Sequence, residues 1–156
     1  MKPDVLKLVE AGPIASVARV GHAPFDQDDP IEFTFANGAV IHIDVGLTGA
    51  SDIEVHAAPL LEHAYGHLRG EEPATWAAIA RDWTREAIDL PWLIGATLAN
   101  PRRLAITEPF RLDVGYVFDA GGHELALFAE SDLIFLTALD DPSIASFQLE
   151  IGAPIV

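Results

Sequence analysis

The sequence predicts an α+β domain, an antiparallel-rich sheet (N-terminal meander plus C-terminal strands) packed against one or two central helices. Three observations carry this. Two alternating apolar runs flank Asn37-Gly38, the middle third changes to helical spacing, and the last third returns to alternation.

In chain order, Pro3 to Glu10 can form a short helix, with Val5, Leu8 and Val9 on one side and Gly12-Pro13 stopping it. Ile14 to Val20 leans to strand, and Asp26-Gln27-Asp28-Asp29-Pro30 is a polar loop. Ile31-Glu32-Phe33-Thr34-Phe35 and Val40-Ile41-His42-Ile43-Asp44-Val45 alternate around Asn37-Gly38, a hairpin signal because a type I′ turn needs positive φ at both central residues. Asp52 to His56 continues the meander. Pro59 to Leu68 reads as helix broken near Gly66 or Gly70. Pro73 opens a longer one, with Trp76, Ile79, Ala80, Trp83, Ala87 and Leu90 at helical spacing until Pro91 ends it. A Trp stripe of this kind reads as the seam that docks a helix on a sheet. Arg102-Arg103 reads as a solvated loop after Pro101. Phe110 to Phe118 alternates, Gly121-Gly122 turns the chain into Glu124–Ala129, and Phe147 to Ile151 is a last strand. Leu133 to Leu136 is an apolar run that periodicity assigns to neither helix nor strand. With no repeat, low-complexity tract or linker, residues 1–156 read as one domain.

Composition narrows the function classes. The 156 residues are half hydrophobic and include no cysteine, which removes disulfides, thiolate metal sites and cysteine nucleophiles. The net charge is −15. Eight acids and no Lys or Arg lie between Arg19 and Arg69, and eight more acids follow Arg111 without a base. Phosphate contact is carried by Lys and Arg, so neither nucleic acid nor an anionic membrane is expected as partner, whereas a basic protein would be attracted. The start carries no basic n-region or apolar h-region, and no apolar run approaches the roughly 20 residues of a membrane helix, so a cytoplasmic location is expected.

Phosphate-cradling glycine motifs, the nucleophile elbow and H-E-x-x-H are all absent. Two clusters remain. His63 and His67 are four apart, on one face if their segment is a single helix, and His42, Asp44, Glu54 and His56 share the polar face of the meander. Together they could hold zinc or a similar divalent metal, although a wet sheet face must be polar in any case. Separately, Glu130, Asp132, Asp140 and Asp141 bracket Leu133–Leu136. Acids around an apolar anchor suit a protein interface if the run is exposed, and are only solvated flanks if it is core. The leading expectation is a non-catalytic protein-binding module, such as immunity-like neutralisation of a basic partner, with no cofactor. The alternatives are a metal-dependent or small-ligand-binding enzyme using the His/carboxylate face, and a homo-oligomeric assembly subunit, for which a homodimer is the simplest form.

Overall fold

In the computed structural model, residues 4–45 and 52–155 are described. The chain begins with α1 (Leu6–Glu10) and β1 (Ile14–Gly21), then β2 (Ile31–Phe35), β3 (Val40–Val45) and β4 (Ile53–His56). Three short helices follow, α2 (Leu60–Tyr65), α3 (Leu68–Glu71) and α4 (Pro73–Asp82). The remaining strands are β5 (Thr84–Ala87), β6 (Ala99–Ile106), β7 (Leu112–Ala120), β8 (His123–Glu130), β9 (Leu133–Ala138) and β10 (Leu149–Pro154). Single 3-10 turns stand at Pro91–Leu93 and Pro142–Ile144.

The α+β class and the antiparallel pairing hold, and the strands divide into two sheets. The first has the order β4-β3-β2-β1-β5 and the second β10-β6-β7-β8-β9. Their inner faces meet in one core, where Phe33, Phe35, Ile41 and Ile43 of the first pack with Phe118, Leu125, Leu127 and Ile134 of the second. Full burial of each such side chain stabilises the fold by roughly 1.5–3 kcal/mol. The principal packing is therefore sheet on sheet, and α2–α4 lie outside it with no buried residue of their own.

The hairpin at Asn37-Gly38 forms, with a different turn from the one expected. Only Gly38 has positive φ, and its amide bonds to the Phe35 carbonyl at 2.9 Å. This is a type I turn followed by a left-handed glycine, further closed by the Asn37 side chain accepting from the Ala39 amide. Positive φ at both central residues occurs instead at Gly121-Gly122 and at Ser131-Asp132, the two-residue loops joining β7 to β8 and β8 to β9.

The longest expected helix is cut short. It stops at Asp82, because Trp83 turns extended and Thr84–Ala87 pairs with the edge of β1, Ala18 opposite Ala87 and Gly21 opposite Thr84. Satisfying an open sheet edge outweighs continued helical periodicity. Trp76 and Trp83 are accordingly half-buried rather than a docking seam. Arg102 and Arg103 lie on β6, not in a solvated loop. Arg102 pairs with Asp119 and Glu124, and Arg103 with Asp52 and Asp113. Leu133–Leu136 is strand β9, with Ile134 and Leu136 in the core and Phe135 packed on the opposite face. No helix among the described residues is long and apolar enough to cross a membrane.

Candidate metal centre

The outer face of the first sheet is built from the residues between its core-facing ones. Register aligns one row straight across it: His56 opposite His42, His42 opposite Glu32, Glu32 opposite Ala18, and Ala18 opposite Ala87. The neighbouring row places Glu54 opposite Asp44. Over this face runs α2, which starts after the extended Pro59 and is pinned at its first residue, where the Leu60 amide donates to Glu32 Oε2 at 2.7 Å. The other oxygen of Glu32 accepts from Arg85 Nη2 of β5 at 2.8 Å. Glu32 is only 1% exposed, so these two charge-assisted bonds are what make its burial tolerable. Neither Glu32 nor Arg85 stands out in the sequence: Glu32 looks like any wet-face residue until the helix covers it.

Pinning α2 brings His63 down onto the sheet histidines. The ring centroids of His42 and His56 are 4.7 Å apart, those of His42 and His63 5.1 Å, and those of His56 and His63 4.5 Å. One nitrogen from each ring lies within 4.8 Å of the other two. A tetrahedral ion at about 2.0–2.1 Å from each nitrogen needs them about 3.3 Å apart. Binding therefore requires the rings to close by up to about 1.5 Å and to rotate, since His42 and His56 now stand nearly parallel. His63 is exposed and His56 half-buried, which leaves both room to do so, while His42 is 1% exposed and fixed.

The hydrogen bonds select which nitrogens are free. His42 Nδ1 lies 2.6 Å from the Ala58 carbonyl, which can only accept, so Nδ1 carries the proton and Nε2 keeps its lone pair. His56 Nε2 lies 3.2 Å from Glu54 Oε2, so the proton belongs on Nε2 and Nδ1 is the open nitrogen. Carbonyl–histidine and carboxylate–histidine pairs of this kind orient metal-ligating imidazoles. Burial pushes the His42 pKa down, the Ala58 contact opposes this, and the neighbouring His56 and His63 lower it further. The neutral form that a metal requires is thereby favoured.

Of the six sequence candidates for a metal, three converge (His42, His56 and His63), and Glu54 stands behind His56. Asp44 lies one row along, its Oδ1 accepting from the Val45 amide. His67 is separated from the trio. Gly66 ends α2, where a Cβ would collide with the Glu62 carbonyl, and the chain restarts as α3 with His67 at its exposed cap. The single helical face expected for His63 and His67 is therefore divided between two helices. Among the acids around β9, Glu130 accepts from the Ser131 hydroxyl, Asp132 shapes the β8–β9 turn, and Asp141 caps the Pro142–Ile144 turn, where Ser143 holds its carboxyl below the usual range. Ile134 and Leu136 are buried and Leu133 and Phe135 half-buried, so the run these acids bracket is not itself an exposed anchor.

Comparison with known proteins returns no matching family model, no matching curated protein and no matching solved structure, so the reading of this centre rests on its own geometry and chemistry.

Proposed function

We propose that this protein is a metalloprotein that holds a zinc-type divalent ion on His42 Nε2, His56 Nδ1 and His63. The observation that carries the reading is the approach of three imidazoles from two strands and a helix, two of them with one nitrogen already tied to a hydrogen-bond acceptor. A surface chosen only for solubility has no reason to gather three rings within about 5 Å, since each loses hydration and repels the others when protonated. Three nitrogen donors leave a fourth position for water, and zinc in such a site brings the pKa of its water to about 7. The function supported best is therefore a centre for hydrolysis or hydration chemistry at a metal-bound hydroxide. Glu54, tied to His56, acts as a positioning residue. The buried Glu32 carboxylate fixes the helix that delivers His63.

Calorimetric titration of metal-stripped protein with zinc tests this. One equivalent should bind near neutral pH, with affinity falling as the solution is acidified and protons compete for the imidazoles. His63→Gln should abolish tight binding while leaving the fold intact, because His63 is exposed. Absence of stoichiometric zinc binding, or binding unchanged in His63→Gln, would overturn the proposal.

A further inference from the structure

Beside the histidine trio, on the same face of the first sheet, lies a second concavity of about 350 Å³. Its floor is β1–β3 backbone and side chain from Val20, Pro30 and Asp44, and α2 forms one wall with Leu60, Ala64 and Tyr65. Trp83, His22 and Asp29 complete it. We propose that this pocket binds a small organic ammonium ion.

Three features point to that chemistry. The first is aromatic enclosure: Tyr65 meets Trp83 edge to face at 6.2 Å and 74°, and His22 meets the same indole at 5.7 Å and 82°. Rings of this kind attract a cation through the negative face of the π system, most strongly when it is partly desolvated. The second is charge. Among the described residues, two carboxylates line the pocket and no Lys or Arg does. Asp44 spends one oxygen on the Val45 amide and Asp29 one on the Asp26 amide, and neither forms an ion pair among the described residues. Arg19 bonds the Asp29 carbonyl rather than its carboxylate, although the two charges still attract through space. Third, the His22 ring is anchored at the rim: its Nδ1 donates to the Asp82 carbonyl at 3.1 Å, which holds it against Trp83. Aromatic rings and carboxylate oxygens without an ion-pair partner are the complement of an ammonium group and repel an anion. A concavity of this volume lies within the usual range for small-molecule sites.

The inference does not depend on the metal proposal, although the two sites adjoin. Asp44 is two residues from His42 on one strand face, and α2 supplies both the pocket wall and His63. A ligand seated by its ammonium group here would lie alongside the trio.

The test uses choline and its uncharged isostere 3,3-dimethylbutan-1-ol, titrated into the full chain with and without zinc and followed by calorimetry and by ligand-observed NMR. Choline should bind at least about tenfold more tightly than the isostere with or without the metal. Asp44→Asn should weaken choline by about fivefold or more, and Trp83→Leu should remove the preference. His63→Gln should lose zinc and keep choline, which separates this proposal from the previous one. Equal binding of the two probes, or no binding of either at millimolar concentration, would overturn it. So would a choline preference that survives both Asp44→Asn and Trp83→Leu, since the cation would then be attracted to the acidic surface at large.

Discussion

The two sheets share a core and differ in how their outer faces are covered. Outside the second sheet, Phe128 stacks on Phe135 at 4.9 Å, and Phe147 meets both rings edge-on at 5.5 and 5.2 Å. Ile144, brought in by the Pro142–Ile144 turn, completes this apolar layer. Outside the first sheet the equivalent positions are Glu32, His42, Asp44, Glu54 and His56, overlain by α2, which buries none of its own residues. One face is closed by dispersion and desolvation, the other by a few directed polar contacts over a set of ionisable groups. A fold that can seal a sheet with aromatics leaves its other face polar at a cost in stability, and that is where chemistry is expected.

Substitutions sharpen the contrast. The largest effect is expected for Phe128→Ala, which removes the fully buried ring of the aromatic layer and should lower global stability by about 3–5 kcal/mol in denaturant unfolding. The protein that still folds should bind zinc with unchanged affinity. Next comes Glu32→Ala, which removes the bonds to Arg85 and to the Leu60 amide. Arg85 is about half exposed and can re-solvate, so the loss should be about 2 kcal/mol, with weaker zinc binding because α2 is released. A destabilisation with zinc affinity intact would break the link between Glu32 and the site.

The pH response follows from His42. Its folded-state pKa lies below the unfolded value of about 6.5, so between the two the unfolded chain binds the extra proton. Its contribution to stability is complete above the unfolded pKa and is lost as pH falls through the folded one. Thermal unfolding of the metal-free protein should show Tm decreasing on acidification below about pH 6.5, and His42→Gln should flatten that slope. The smallest effect concerns α4. Ala77→Gly should cost at most about 1 kcal/mol locally and leave global unfolding nearly unchanged, while α2–α4 amides exchange hydrogen faster than those of β7 and β8.

Much of this arrangement was legible in the sequence, and the exceptions have physical causes. Alternation located the meander, and with it the histidines of β3 and β4, because a strand's period of two fixes which side chains share a face. Alternation is a local signal. It could not show that α2 folds back to add His63, since that depends on the buried Glu32 holding the Leu60 amide. Nor could it separate His63 from His67, which Gly66 assigns to different helices. Strand β5 was hidden under helical spacing because its stability comes from the edge of β1. Strand β6 was hidden by Pro101 and two arginines, whose charges are answered by acids on β7, β8 and the segment before β4.

The most direct test of the metal centre uses the six histidines as signal and control together. Imidazole nitrogen NMR on addition of one equivalent of zinc should show His42 retaining its Nδ1 proton and His56 its Nε2 proton, while the other nitrogen of each, and one nitrogen of His63, shifts to a metal-bound position. The resonances of His22, His67 and His123 should stay where they are. Zinc shifting those three, or leaving His42, His56 and His63 unshifted, would contradict the account.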